Sequence, residues 1–334
     1  MSKTFTDLTR HALNGPTMGS RWSALFHAPS GFDIAPVKAA LQAAVEEVDM
    51  QMSTWKPASD LMQLNAAPTD TWIPVPEKVF EVLRTGIAIG QETQGAFDIG
   101  MGDAVAAWGF GASEADPVRI RAAFEMKRQP AHEILELNLA ARQVRKHAPL
   151  ALDLSGIAKG FGVDRLAETL IGFGIRDTLV GIDGELRALG LQPDGSPWAI
   201  AVEEPDTRIR TPYSILTLQD AAVATSGDYR HWVEVGGRHL SHTMDPRRGG
   251  PLQDAPASVT VVARTCMEAD AWATALMVLG AKRGTALAEK HGLSALYLER
   301  AGNDIVPTGT GPLFRDQAPM SLNSFTTSSR ATPI

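Results

Sequence analysis

The sequence has few of the features that mark secreted miniproteins, membrane proteins or nucleic-acid-binding proteins. Its 334 residues include one cysteine, Cys266, which excludes a disulfide framework and a thiolate metal cluster. No apolar run reaches the roughly 18 residues of a membrane-spanning helix, so we expect no integral membrane segment. Basic residues number 31 against 38 acidic ones, and this net charge of −7 predicts no nucleic-acid partner.

The remaining composition is that of a globular protein, with 44% hydrophobic and 21% charged residues. This composition excludes a disordered chain, a collagen and a coiled-coil rod. The first 20 residues contain no apolar signal segment, no twin arginine and no lipid-modified cysteine. The sequence as written therefore predicts a cytoplasmic protein, or a periplasmic one if an export signal was removed.

Helical and strand patterns follow one another without a regular βαβ alternation, which predicts an α+β fold with mixed or antiparallel sheets and packed helices. No internal repeat and no clear domain linker is present. The predicted helices are 35–50, 76–94, 157–173, 267–279 and 281–291, and the predicted strands are 21–26, 134–139, 143–146, 151–154, 178–182, 185–189, 198–202, 214–218, 232–235, 258–262 and 295–298. The segments 53–65 and 95–111 and the turn 226–228 are predicted to be irregular, and the tail 321–334 to be frayed.

The segment Asp153–Phe161 combines an acid, a turn of small residues and a helix start that carries Lys159. Free N–H groups at a helix start favour an anion, and a lysine adds a positive charge suited to phosphate. The segment does not have the spacing of a P-loop. The alternative is an ordinary turn followed by a solvated lysine.

Asp270 and Thr274 are four residues apart in a helical pattern and therefore share one face. A carboxylate and a hydroxyl are hard oxygen donors of the kind that Mg²⁺ accepts. The alternative is that Asp270 interacts favourably with the helix start while Thr274 bonds back to the backbone.

Three further features could contribute to a site. His242 has the residue type of a general base, although an ordinary structural role is equally open. A zinc site of His231, His239 and His242 is disfavoured by its spacing. The glycine-rich loop 95–102 could contact a flat ligand through its backbone, or be only a tight loop. Trp55 could stack on an aromatic ring system, or anchor its loop on the core.

The order and combination of eight motifs closely resemble the ApbE family, the FAD:protein FMN transferases. The resemblance runs from about Met18 to Leu298. The motifs are Met18-Gly19-Ser20, Met52-Ser53-Thr54-Trp55, Gly95-Ala96-Phe97-Asp98, Trp108-Gly109-Phe110-Gly111, Asp153 to Gly160, Ala224 to Tyr229, His242 to Pro246 and Ala269 to Thr274. This resemblance implies an α+β fold with T-fold-like elements, in a domain 18–300 between an N-terminal extension 1–17 and a C-terminal tail 301–334.

The resemblance also implies an activity, namely Mg²⁺-dependent transfer of the FMN moiety of FAD to a threonine or serine hydroxyl of a target flavoprotein, with release of AMP. Mg²⁺-dependent hydrolysis of FAD to FMN and AMP, and non-catalytic carriage of FAD for a redox complex, are the alternatives. The family's flavin-nucleotide-binding positions fall on Met18, Trp55, Ala96, Phe97, Asp98, Asp153, Lys159 and His242, and its metal-binding positions on the Gly156 backbone, Asp270 and Thr274. His242 or Asp153 is expected to accept the proton of the acceptor hydroxyl. The family's usual Gly-Gly turn is replaced by Asp183-Gly184.

Overall fold

The structure is a computed structural model, and it describes residues 8–206, 211–229, 232–235, 238–302 and 304–315. The helices are α1 Ala35–Met52, α2 Asp60–Ala66, α3 Glu77–Glu92, α4 Gly102–Ala107, α5 Pro117–Glu125, α6 Ala131–Ile134, α7 Ala158–Gly172 and α8 Cys266–Lys290. The strands are β1 Leu8–Thr17, β2 Ser20–Pro29, β3 Ile73–Pro74, β4 Leu135–Asn138, β5 Gln143–Lys146, β6 Thr178–Ile182, β7 Glu185–Leu189, β8 Trp198–Glu203, β9 Pro212–Leu218, β10 Ala221–Gly227, β11 Trp232–Val235, β12 Arg238–Ser241, β13 Met244–Asp245, β14 Gly250–Pro251, β15 Ser258–Ala263, β16 Ser294–Ala301 and β17 Asp304–Thr310.

An eight-stranded sheet in the order β1-β2-β6-β7-β10-β15-β16-β17 forms the centre of the fold, and every neighbouring pair in it is antiparallel. The predicted α+β class with antiparallel sheets is confirmed. Strand β1 pairs with β2 over its whole length, and β17 pairs with β16. The sheet therefore includes residues on both sides of the predicted domain limits 18 and 300.

Both faces of the middle of the sheet are buried, because helices cover one face and the β8–β9 hairpin covers the other. In β6, Val180 packs with α1 and α7, whereas the adjacent Leu179 packs with Trp198 of β8. Alternating residues of a strand point to opposite faces, so a strand covered on both sides must be apolar throughout. This explains why all five residues of β6 are buried.

Helix α2, helix α4 and residues 151–154 differ from the sequence prediction, and β1, α5, β10 and β17 have no predicted counterpart. Helix α2 lies inside the segment predicted to be a loop, and Ser59 caps it by accepting a hydrogen bond from the backbone N–H of Met62. Helix α4 lies inside the predicted glycine loop. The predicted strand 151–154 is extended but unpaired with another strand, because the Asn65 side chain bonds both backbone groups of Leu152, at 2.7 and 2.9 Å.

The remaining predicted elements agree with the structure within a few residues. The predicted break between two C-terminal helices is present as a non-helical residue, Gly280 (φ 68°), inside α8. None of the helices described here is long and apolar enough to cross a membrane. The predicted frayed tail 321–334 lies outside the described residues.

Candidate active site

Helices α7 and α8 meet at their N-terminal ends, and each donates backbone N–H groups to a carboxylate of the other. The N–H of Gly160 in α7 donates to Oδ2 of Asp270 at 2.9 Å. In return, the N–H groups of Cys266 and Met267 in α8 donate to the two oxygens of Asp164, both at 2.9 Å. These reciprocal bonds satisfy helix-terminal donors that would otherwise lack partners, and they hold the two helices in one register.

Close contact of the helices requires a glycine at position 160. A Cβ atom there would lie 2.7 Å from the carbonyl carbon of Cys266 and 2.8 Å from Cβ of Asp270. Both distances are shorter than real Cβ contacts, so no larger residue fits without movement of a helix. The glycine therefore brings the start of α7 against the turn of α8 that carries Asp270.

The three predicted metal-binding positions lie together at this crossing. A Cβ atom on Gly156 would be 3.2 Å from Oγ1 of Thr274, which places the Gly156 backbone beside that hydroxyl. Thr274 is one helical turn beyond Asp270, and its Oγ1 is 3.3 Å from Oγ of Ser226 in β10. The arrangement gathers oxygen donors from three elements, and their role as metal ligands stays a prediction.

The Asp270 side chain does not serve its own helix start, which was the structural alternative. Thr265 caps α8 by accepting a hydrogen bond from the N–H of Glu268, and Glu268 is the acid of the first turn. Asp270 is buried, with 5% of its surface exposed. Burial and the nearby carboxylate of Glu185 raise the pKa of Asp270 to about 7. A bound cation would stabilise the ionised form of such a carboxylate, because it would offset the free energy lost when the charge is buried.

Lys159 is not a solvated surface lysine. Its Nζ donates to Oε1 of Glu185 at 2.6 Å, and the Glu185 side chain is only 4% exposed. Burial alone would lower the pKa of Lys159, but Glu185, Asp270 and Asp183 raise it above the ordinary lysine value. Lys159 is therefore a permanent positive charge beside Asp270.

The start of α7 has fewer free N–H groups than its sequence suggests. Ala158 donates its N–H to the carbonyl of Leu154 at 2.8 Å, and Gly160 donates to Asp270. Two groups of the first turn are thus used within the protein. Any anion bound here would depend on the Lys159 ammonium more than on the helix start.

The glycine-rich loop reaches the same place through Phe97. Ala96 and Phe97 are buried, and Cε2 of Phe97 would be 3.3 Å from a Cβ atom on Gly156. Oδ1 of Asp98 accepts hydrogen bonds from the N–H groups of Gly100 and Ala131, at 2.8 and 3.1 Å. Burial raises the pKa of Asp98, although these two bonds oppose the shift. Asp98 thus holds the loop that carries Phe97.

The two carboxylate oxygens of Asp153 have different surroundings. Its Oδ1 accepts a hydrogen bond from the N–H of Ser155 at 2.8 Å, while Oδ2 is enclosed and has no hydrogen-bond partner in the described part of the chain. Loss of hydration raises the pKa of Asp153. An enclosed oxygen without a partner is costly unless a ligand supplies a donor.

Met18, Trp55 and His242 come from three different loops. Met18 lies at φ 45° in the turn between β1 and β2, and its Cε atom faces Gly162 of α7. The Trp55 side chain is 63% exposed, so it does not anchor its loop on the core. The His242 ring lies edge-on to Phe110, with 6.5 Å between ring centroids.

The structure does not test the zinc alternative. The described residues contain no group of three or more His, Cys, Asp or Glu side chains that could hold a metal. His231 lies outside these residues, and nothing is described of the His239 side chain.

The sequence reasoning missed Glu185, Asp164 and Ser226. An acid directly after the Asp183-Gly184 turn, at the first position of a short strand, was the available signal for Glu185. Asp164 falls within the apolar face of α7, where a lone charge indicates a buried partner. Ser226 was assigned to a turn, but it lies in β10 opposite Val259 of β15.

Fold and site together define a single class of protein, and the comparisons with known sequences agree. A sequence model described as "ApbE family" matches residues 18–297, and the chain belongs to this family.

The chain is similar to named relatives over nearly its whole length. It is 37% identical over 316 residues to a protein named FAD:protein FMN transferase from Vibrio cholerae, covering 94% of this chain and 92% of the relative. It is 33% identical to the protein of the same name from Escherichia coli K12, with 91% and 88% covered. The solved structure of the Pseudomonas stutzeri flavinyl transferase ApbE in its apo form superposes with a TM-score of 0.82 at 35% identity, covering 93% of this chain and 98% of that one.

Proposed function

We propose that this protein is an FAD:protein FMN transferase that uses Mg²⁺ and attaches FMN to a threonine or serine hydroxyl of an acceptor flavoprotein. The observation that carries the proposal is the crossing of α7 and α8, where Asp270, Thr274 and the Gly156 backbone meet beside Lys159. The names of relatives with 33% and 37% identity support the same activity.

The donor set fits Mg²⁺ by its chemistry. A buried carboxylate, a hydroxyl and a backbone carbonyl are hard oxygen ligands, and Mg²⁺ keeps several waters or substrate oxygens besides a few protein ligands. Burial and the Glu185 carboxylate raise the pKa of Asp270 although Lys159 opposes the shift, so a further cation would stabilise the charged carboxylate. When bound, Mg²⁺ would reduce the negative charge of the FAD pyrophosphate and orient it for displacement.

The chain's own residues then have distinct tasks. Lys159 would attract the pyrophosphate and stabilise charge on the departing AMP phosphate. Phe97 and Trp55 offer aromatic faces to the ring systems of FAD, with Met18, Ala96 and Asp98 shaping the surrounding loops.

In the transfer itself, the acceptor hydroxyl oxygen forms a bond to the phosphorus of the FMN half. The bond from that phosphorus to the oxygen of the AMP phosphate breaks, and AMP leaves. His242 or Asp153 takes the hydroxyl proton; the enclosed Oδ2 of Asp153 could alternatively accept a hydrogen bond from FAD.

The test is incubation of the protein with FAD, Mg²⁺ and acceptor proteins encoded by neighbouring genes. Covalent flavin fluorescence on an acceptor, lost when its threonine or serine is replaced by valine or alanine, would support the transferase. Free FMN and AMP without labelled acceptor would indicate a hydrolase, and intact bound FAD a carrier.

Two substitutions test the assigned residues in the same assay. Asp270→Asn should abolish labelling. His242→Asn should slow it by about 10²–10⁴-fold at saturating FAD if this ring is the base.

The cellular location belongs to the same proposal. We propose a cytoplasmic location, with the periplasm as the alternative. Detection of the protein in fractionated cells decides between the two compartments.

A further inference from the structure

Five charged side chains form a buried charge cluster around the α7–α8 crossing: Lys159, Asp164, Glu185, Arg187 and Asp270. Three of them are acids with little exposed surface, since Glu185 is 3%, Asp164 4% and Asp270 5% exposed. Buried acids are costly unless a cation or several N–H donors face them. The pairing within this cluster therefore decides how much negative charge is left for a ligand.

Asp164 is fully provided with partners. Arg187 donates to its Oδ1 at 2.7 Å, and two N–H groups at the start of α8 donate to its two oxygens. Arg187 is thereby occupied away from Asp270. The second cation, Lys159, has three acids within its electrostatic range, namely Glu185, Asp270 and Asp183, and the first two are the buried ones.

The Lys159 ammonium pairs with Glu185 at 2.6 Å, although the Lys159 backbone lies close to Asp270 in space. The residue that follows it, Gly160, is the one whose N–H donates to the Asp270 carboxylate. A lysine ammonium on its flexible aliphatic stem can exchange between two nearby acids. Glu185 is fixed at the first position of β7, where its Oε2 also accepts a hydrogen bond from the N–H of Gly184 at 3.2 Å.

We propose that Glu185 is a positioning residue that holds the Lys159 ammonium off the Asp270 carboxylate and so leaves Asp270 open to a divalent cation. The inference rests on the proposed function, because it takes Asp270 as a metal ligand. Without the Glu185 charge, the Lys159 ammonium moves to Asp270 and competes with the metal for the Asp270 carboxylate. Lys159 then also leaves the position from which it faces the substrate phosphate.

A double-mutant cycle on Glu185 and Lys159 tests this mechanism, with Mn²⁺ as a spectroscopically visible probe for the Mg²⁺ site. Free Mn²⁺ is measured by electron paramagnetic resonance, without FAD. Glu185→Gln keeps the size and one hydrogen bond of the side chain but loses its charge, and it should raise the Mn²⁺ dissociation constant at least about tenfold. In a Lys159→Met background the same change should have an effect of less than about twofold, because no ammonium remains to move.

The cycle distinguishes repositioning of Lys159 from a simple loss of negative charge. If Glu185 acts only through its charge at a distance, Glu185→Gln weakens Mn²⁺ binding equally in both backgrounds, and that result overturns the proposal. Unchanged Mn²⁺ affinity in the single variant overturns it as well. Glu136→Gln, which breaks the partly exposed Arg145–Glu136 pair on the β4–β5 hairpin, is the matched control and should leave Mn²⁺ affinity unchanged.

FMN transfer is measured on the same variants to separate this proposal from the proposed function. Glu185→Gln should require more Mg²⁺ for half-maximal transfer and recover part of the rate at high Mg²⁺. Normal transfer with unchanged Mn²⁺ affinity would refute the role of Glu185 alone. The expected Mn²⁺ cycle without any FMN transfer by the wild type would refute the transferase and support the positioning role. If the wild type binds no Mn²⁺, both the metal site and the role of Glu185 are refuted.

Discussion

Replacement of Gly160 by alanine tests the close contact of α7 and α8 most directly. The same helix contains a matched control, Gly172, where a Cβ atom would meet nothing within 4 Å. Both changes remove a glycine from a helix, and each should gain about 0.5–1 kcal/mol from the lower flexibility of the unfolded chain and the better helix propensity of alanine. The two substitutions therefore differ mainly in what the added methyl group touches, although Gly172 is the last residue of α7 and Gly160 the third.

At position 160 the methyl group would lie 2.8 Å from Cβ of Asp270, about 0.6 Å closer than the 3.4 Å at which ordinary van der Waals contact begins. It would be closer still to the backbone of Cys266, which cannot turn aside as a flexible side chain could. Overpacking of this kind costs about 1–3 kcal/mol. After the propensity gain is subtracted, we expect a net loss of up to about 2.5 kcal/mol.

Urea unfolding followed by circular dichroism measures both variants. Gly172→Ala should unfold at a higher urea concentration than the wild type, and Gly160→Ala at a lower one. Gly160→Ala should also bind Mn²⁺ more weakly, because separation of the helices moves Asp270. If Gly160→Ala is as stable as Gly172→Ala, the described contact between the helices is wrong.

Two further changes test the electrostatics of Asp270 and the aromatic face of Trp55. Because the folded-state pKa of Asp270 is raised from its ordinary 3.8 to about 7, the folded protein holds a proton that the unfolded chain releases between these values. The metal-free wild type should therefore lose stability relative to Asp270→Asn as the pH rises from about 4 to 7, and parallel urea-unfolding curves across that range would contradict the assignment. Trp55→Ala should change stability by less than about 0.5 kcal/mol, because the side chain is exposed, but should weaken FAD binding by about 1–3 kcal/mol in a fluorescence titration. Unchanged FAD affinity would remove Trp55 from the binding site.

The pattern of apolar and turn residues predicted a helix or strand correctly where the tertiary contacts also favour that element. The strands 178–182 and 185–189 were predicted at their observed limits, because they are two short segments on either side of the Asp183-Gly184 turn. The prediction of a strand failed where a side chain, rather than a neighbouring strand, forms the hydrogen bonds of the backbone. The segment at Leu152 has the composition of a strand, yet its backbone groups bond the side chain of Asn65, which is 87 residues away in the chain.

In the candidate site, too, the sequence predicted some features and only the tertiary contacts decided the others. Residue types and spacing were sufficient to select Asp270 and Thr274 as oxygen donors, because residues four apart share a helix face in any α-helix. Only the tertiary structure places Gly156 against Thr274, Gly160 against Asp270, and Lys159 on Glu185. These contacts join a helix start, a second helix and a sheet strand that are far apart in the chain. They depend on how closely two helices pack and on which buried acid pairs with a lysine, and no local sequence pattern encodes either property.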